Sequence, residues 1–470
     1  MTAMTLFLPE TAIAFMAFMA FFFTLLKEEM SKKFLYPVML TLGILALATA
    51  IFSLHSTGTL FFNTYQIDFF SQNFKLILIG SLLLILFISD RTQSINNQVR
   101  PEYFLFLSTA TLGMMMLTSA SELITLFISL ELASVSQYIL VPLRRGQVLN
   151  AEAGIKYLLF GAAASAITLY GLSFIFGIAQ STFFSEIAQK LPQLSQQPIF
   201  YVGIFLTGAG FFFKLAAFPF HFWAPDVYEG ASTQVTAFIA TASKAAGVAV
   251  LLRILKYFPL GIETFTLILI GLSIISMSLG NLAAMIQKDM KRMLAYSSIA
   301  QAGYILAGLL AQSPQGFVAV IFYTVAYLIM NFAVFMVTTR IASVDDNPGI
   351  KSFAGLADRS PLLALTLLIG LLSLAGIPPL AGFTGKWFIF SAAMEKGHWI
   401  LVLIGVINSV ISLYYYLMVV KEAYLGKPAE EKSLHVDIKT RALSYATIVS
   451  LVILGIFPTA LIQWIQEAIK

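Results

Sequence analysis

No cysteine occurs in the 470 residues. Its absence excludes disulfides, cysteine-ligated zinc and iron–sulfur clusters from this chain. Histidine is nearly as scarce: His55, His398 and His435 lie near the ends of predicted segments and His221 alone is interior, which leaves no interior pair to ligate haem. Charged residues make up only 11% of the chain. The longest inner loop, Lys427 to Thr440, has no room for a catalytic domain. A phosphate-binding loop is missing too. The run from Gly382 to Trp387 has Leu380 where that motif needs glycine, and no Ser or Thr follows Lys386. No metal or cofactor site and no nucleic-acid partner is expected, and if electrons move in this system they move elsewhere.

Apolar residues fill the space. They account for 59% of the chain, mean hydropathy is +0.87, and runs long enough to span a bilayer recur from end to end. The expectation is an all-α polytopic membrane protein with fourteen spans, at 3–26, 35–54, 74–89, 102–119, 121–143, 151–179, 199–224, 232–257, 262–286, 293–311, 315–341, 361–394, 399–424 and 441–465. The first segment has no basic residue before it and Lys27, Lys32 and Lys33 after it, so it reads as an uncleaved anchor with its N-terminus outside. With that orientation eighteen Lys and Arg fall on the inner side and only Lys190, Arg253, Lys256, Lys396 and Lys470 on the outer. A missed or extra span would scramble so strong a positive-inside bias. Lys75 falls at the outer edge of the third span, and Glu10 and Glu122 near outer span ends read as interfacial. Segment 180–198, with Phe183, Phe184, Ile187 and Leu191 at helical spacing, reads as a short amphipathic helix on the outer surface.

Two spans are interrupted by proline. Pro219 breaks the seventh, and Pro378 and Pro379 break the twelfth. Such breaks at membrane depth persist only against protein or a water-filled cavity. Leu215 to Pro219 and Leu374 to Pro378 match in residue type, and the twelfth span comes an odd number of spans, five, after the seventh, so the copies run in opposite directions. That is the pattern of inverted-repeat transporters. The implied division is 1–100 for three N-terminal helices, 101–258 and 259–426 for two inverted five-helix repeats each with a broken helix, and 427–470 for an inner loop and a last helix.

Four lysines, Lys156, Lys214, Lys244 and Lys386, fall inside spans. A lysine at bilayer depth costs ~2.5 to 3.5 kcal/mol on insertion scales, which packing alone does not favour. Its proton affinity is set by lost hydration against any nearby carboxylate, so a change in that carboxylate can load or release a proton. Glu131, about ten residues into the fifth span, is the natural counter-charge for Lys214. The plainer reading is a static buried ion pair. For Lys244 and Lys386 the plainer reading is snorkelling to an interface. Lys156 has Glu152 one helical turn earlier, and a surface salt bridge explains both. His221 is either a proton donor or a cap for carbonyls freed at the break. Asp226 and Glu229 read as caps for the eighth span or as the lining of a proton entry.

The run F-K-x-x-x-x-P-F-H-x-W-x-P-D-V-Y-E-G-A from Phe213, followed by A-T-A-S-K ending at Lys244, resembles the signature of the subunit N family of respiratory NADH:quinone oxidoreductase (complex I), one of the antiporter-like proton-translocating subunits. Ser232 and Gln234 depart from it, standing where proline is often found. The resemblance implies an essential Glu131–Lys214 pair, Lys244 as a connecting relay, Lys386 as the terminal lysine exchanging protons with the outer side, and Lys156 as a modulator of Lys214. It implies a non-redox part in a proton-translocating oxidoreductase of the bacterial inner membrane; the charge distribution over fourteen spans puts both termini outside. NAD, FMN, iron–sulfur clusters and quinone would then belong to partner subunits. Its partners would be a neighbouring antiporter-like subunit, small membrane subunits and the lipid bilayer. The alternative is a Mrp-type cation/proton antiporter subunit without redox coupling, since P-F-H-x-W-x-P-D is common to both.

Overall fold

An apolar run in hydrocarbon must satisfy its backbone hydrogen bonds internally, so the long hydrophobic stretches of this chain become helices. The computed structural model describes residues 3–89, 95–143, 148–258, 263–343, 348–427, 434 and 436–469. His435, Lys470 and part of the loop after Lys427 lie outside them. In chain order the helices begin with α1 (Ala3–Leu6), α2 (Leu8–Thr24), α3 (Glu28–Phe52), α4 (Phe69–Ile88), α5 (Arg100–Ser119), α6 (Leu123–Leu140) and α7 (Val148–Ala179). The short α8 (Phe184–Gln189) and α9 (Leu191–Leu194) precede α10 (Pro198–Leu215). After the first interruption come α11 (Trp223–Gly230), α12 (Thr233–Phe238), α13 (Lys244–Tyr257), α14 (Glu263–Ala284), α15 (Met290–Leu310), α16 (Pro314–Ala342), α17 (Leu356–Arg359) and α18 (Pro361–Ala375). The second interruption leads to α19 (Ala381–Glu395), then α20 (Trp399–Leu425), α21 (Ile438–Ile456) and α22 (Thr459–Ile469).

Eleven helical stretches among the described residues are long and apolar enough to cross a membrane. The remaining expected crossings coincide with the shorter α2, with α5, and with the interrupted pair α18 and α19. Large apolar side chains stand exposed at helical spacing, as Phe15, Phe18 and Phe22 do on α2, which suits a surface that meets lipid. The chain is a multi-pass helical membrane protein.

It divides into two compact units. Unit 1 comprises Met1–Leu86, Ile95–Leu215 and Ala242–Leu260; unit 2 comprises Phe87–Ser94, Ala216–Thr241 and Gly261–Lys470. The cut after Leu215 falls at the first helix interruption. In unit 1, α7 packs along α10, α5 along α6, and α10 against α13. In unit 2, α14 packs along α15, and α16 against both α18 and α19.

Unit 1 also departs from the all-helical expectation. Gly58–Leu60 and Tyr65–Ile67 form an antiparallel hairpin, with Thr59 opposite Gln66. Its tip, Phe61 to Asn63, lies in the left-handed backbone region. Ile67 and Tyr65 pack with Leu6 into a small apolar cluster, which turns the Tyr65 hydroxyl toward Glu10. In segment 180–198 the amphipathic helix is two short ones, with Phe184, Ile187 and Leu194 buried.

Candidate functional site: buried lysines at helix interruptions

In unit 1, α10 carries Lys214 in its last turn and stops one residue later, where Ala216 takes a positive φ of 55° before Pro219. Lys214 is only 3% exposed. Its Cβ faces Gly247 of α13, a position where an added Cβ would lie 3.4 Å away. Glu131, half-buried on α6, is the charge that acts on Lys214. The two are electrostatic neighbours without direct contact: no ion pair joins them among the described residues, and the Glu131 carboxylate accepts a hydrogen bond from Ser165 on α7.

Lys244 opens α13 directly after a single π-helical turn, Ile239–Ser243. A π-turn leaves backbone groups out of the regular ladder and is frequent at functional sites. The side chain is 1% exposed, so it does not snorkel. Beside it, Ser243 and Tyr157 both donate to Gln137 Oε1, at 3.1 and 3.0 Å. Lys156, by contrast, is part-exposed and pairs with Glu152 at 2.7 Å, the one-turn surface pair expected from spacing.

In unit 2 the second interruption is built around Lys386. Helix α18 ends in Gly376, whose φ of +89° is natural only to glycine, and Gly382 lets α19 start against Ser373. The carbonyls of Leu374 and Ala375, freed by the break, accept from Lys386 Nζ at 3.1 and 3.0 Å. Nζ also donates to Ser409 Oγ at 2.8 Å and sits 4.5 Å from the Tyr304 ring centroid. The amine points inward, 3% exposed, so the snorkelling alternative does not describe it.

His221 lies in the first interruption, buried against Phe218 and Phe222, with Pro219's carbonyl beside its ring. Its Nδ1 has no hydrogen-bond partner among the described residues. The freed backbone there is held by Ser276, whose hydroxyl accepts from the Phe218 amide at 3.0 Å.

Three readings from the sequence require correction. Asp226 and Glu229 do not cap the following helix, whose N-terminus has no side-chain cap. Both carboxylates instead meet Arg292 Nη1 at 2.7 Å, and Lys291, fully buried, donates to the Glu229 and Ala231 carbonyls. Glu122 is a buried cap on α6, accepting from the Ile124 and Thr125 amides. Glu10 is not interfacial: it is wholly buried and bound to Lys75 at 2.6 Å and to the Tyr65 hydroxyl at 2.6 Å.

Residues 120–412, which contain all six candidate residues, match the family described as NADH:quinone oxidoreductase/Mrp antiporter, TM. An NADH-quinone oxidoreductase subunit N 2 from Syntrophobacter fumaroxidans is 46% identical over 432 residues, covering 92% of each chain. The chain belongs to the subunit N family of NADH:quinone oxidoreductase. A chain of respiratory complex I from Thermus thermophilus is 32% identical and superposes with a TM-score of 0.83, covering 97% of this chain and 98% of that one. A chain of the Mrp complex from Dietzia, 20% identical over 98% of this chain and 97% of that one, has a TM-score of 0.85. At that identity the likeness is one of fold.

In this subunit N family member, sequence reasoning missed a polar seam along α15. Ser298 pairs with Tyr228, Ser297 with Tyr416, Gln301 with Tyr323 and the Leu374 carbonyl, and Tyr304 underlies Lys386. The available signal was a run of Ser, Gln and Tyr at three- and four-residue spacing within an apolar helix.

Proposed function

We propose that this chain is the proton-translocating membrane-arm subunit N of an NADH:quinone oxidoreductase, crossing the bacterial inner membrane fourteen times with both termini outside. NAD, FMN, iron–sulfur clusters and quinone belong in this reading to partner subunits, and electron transfer there drives the protons here. One observation carries it: Lys214, Lys244 and Lys386 are each at most 3% exposed, and each stands within a few residues of a helix irregularity. Irregular backbone in a membrane is tolerated where it lines a cavity or a binding site, and a buried ionisable group there marks an ion path.

The mechanism is electrostatic. Within unit 1 a charge change arriving from a neighbouring subunit alters the field that Glu131 exerts on Lys214, and with it the lysine's affinity for a proton. Lys244 relays the proton, and Lys386 passes it outward after exchanging its hydrogen bonds to the freed carbonyls for bonds to water. Spans four to eight and nine to thirteen form the two inverted repeats in this reading, each supplying one interrupted helix. His221 and Lys156 modulate loading.

The experiment is Lys214→Ala in the intact complex, assayed in membrane vesicles for coupled quinone reduction and proton uptake. The complex should assemble while both activities fall together. An undiminished proton gradient would refute the assignment. Sodium–proton exchange without redox chemistry has a likeness of fold in its favour and no residue-level observation. Co-purification with flavin and iron–sulfur proteins separates the two.

A further inference from the structure

A groove of about 1000 Å³ opens at the end of unit 2 where α14 runs out. The 3-10 turn Ile350–Phe353 forms one wall and the stretch of α20 from Tyr414 to Glu422 the other. The turn is pinned to the corner between α14 and α15, because the Ile350 amide donates to the Lys288 carbonyl at 2.8 Å and the Met290 amide to the Pro348 carbonyl at 3.2 Å. The Gly355 amide in turn donates to the Glu422 carbonyl, tying α20 to the same corner.

Three lysines, Lys288, Lys351 and Lys421, line this one opening. All three are exposed, and none takes part in an ion pair among the described residues. Among the described residues the lining has one carboxylate, Glu422, against these three lysines, an excess of positive charge. The rest of the lining includes the apolar Ile350, Leu417 and Met418 with the ring of Tyr414.

A second observation says what such a mixed surface is for. On α20 the exposed residues Ile407, Val410, Tyr414 and Leu417 recur at three- and four-residue spacing, and the same stripe ends on Lys421. From Val410 to Lys421 is ~16 Å at helical rise, about half the ~30 Å hydrocarbon core of a bilayer. An apolar track one leaflet long, ending in a cluster of amines, has the dimensions and polarity of a phospholipid. A soluble anion would leave the track uncovered.

We propose that this groove binds an anionic diacyl phospholipid, with its phosphate among Lys288, Lys351 and Lys421 and an acyl chain along the Val410–Leu417 stripe. Basic pockets between membrane helices bind such headgroups on the side where lysine and arginine accumulate, which is the side the charge distribution assigns to these three residues. The site stands apart from the proton path and does not rest on the proposed function.

The test uses the full chain, purified in detergent and presented with phosphatidylglycerol or phosphatidylcholine of identical acyl chains, with bound lipid counted by native mass spectrometry. The wild-type chain should retain phosphatidylglycerol in preference. The triple variant K288Q/K351Q/K421Q should lose that preference by about ten- to a hundred-fold, each lysine contributing a few-fold. The triple arginine variant should keep it. Leu417→Gln should weaken both lipids alike. All three positions are exposed, and unchanged melting temperatures check that folding is intact. An undiminished preference in the glutamine variant overturns the proposal. So does displacement of the lipid by millimolar inorganic phosphate, which would reveal a simple anion site. Photocrosslinking from Met418 in the intact complex to a protein chain instead of lipid would overturn it as well.

Discussion

Lys386 Nζ lies 3.0 Å from the carbonyl oxygen of Ala375, eleven residues earlier in the chain and across the Pro378-Pro379 interruption. The break thus creates the acceptors that the amine occupies. The same carbonyl receives the Ser409 hydroxyl at 2.9 Å, and that of Leu374 receives Gln301 at 3.3 Å. Because these neutral donors remain when the lysine is removed, the fold should tolerate the loss better than the proposed proton path would. Lys386→Met should therefore yield an assembled complex with proton pumping severely reduced. Ser409→Ala removes one hydrogen bond to a charged group, worth ~1.5 to 3 kcal/mol, and should alter pumping partially. Vesicle acidification measured alongside quinone reduction checks both, and wild-type pumping in Lys386→Met would exclude Lys386 from the path.

The geometry of that break depends on Gly382. A Cβ at this position would lie 1.7 Å from the Ser373 carbonyl oxygen and 2.9 Å from Met330 Sδ. The first of these is backbone, which cannot swing aside. Overpacking against movable side chains costs ~1 to 3 kcal/mol, and Gly382→Ala should exceed that range. A large fall in the melting temperature of the detergent-solubilised chain is the expected outcome. An unchanged melting curve would mean that α18 and α19 do not approach this closely.

Asp289 offers a pH test outside the membrane-spanning segments. It caps α15 by accepting from the Arg292 amide at 2.8 Å. Burial, the largest cause, together with the charge of Glu229, holds its carboxyl above the usual value of 3.8 in spite of Lys291 and the capping amides. The folded state therefore holds this proton more tightly than the unfolded chain. That contribution is fully present below the unfolded value and is lost as pH rises through the raised folded one. Asparagine caps as well as aspartate does and does not titrate. Asp289→Asn should thus match wild type in stability near pH 3 and exceed it near pH 8. The reverse order across that interval, read from melting temperatures, would contradict the sign.

The interrupted helices were legible because proline and an intramembrane lysine are each conspicuous in an apolar run. Lys214, Lys244 and Lys386 were found on that basis and are buried. The partners of charges near span ends were not legible. Periodicity places Glu10 and Lys75 at the ends of their segments, which normally implies water, and the intervening hairpin that covers them has no alternation strong enough to announce it. Asp226 and Glu229 precede a helix, the usual place for a cap, but their true partner Arg292 is more than sixty residues away. The α15 seam was hidden for another reason: serine, glutamine and tyrosine in a membrane helix carry no charge to draw notice.

Two ion pairs of nearly equal length give the last prediction, because it is their surroundings that differ. Lys75 and Glu10 meet at 2.6 Å with neither side chain exposed, whereas Lys156 and Glu152 meet at 2.7 Å with 37% and 54% of their side chains exposed. The second pair is exposed near the start of its span, where solvent can replace either partner, so Glu152→Ala should change stability by no more than ~0.5 kcal/mol. Removing one member of the first leaves an unpaired charge in a dry site. Lys75→Met or Glu10→Leu alone should each cost ~3 to 5 kcal/mol, with Glu10→Leu also depriving the Tyr65 hydroxyl of its acceptor. The double variant, which buries no charge, should recover much of that loss. A double-mutant cycle on the detergent-solubilised chain measures the coupling, and single and additive double losses of equal weight would show that the two residues are not paired.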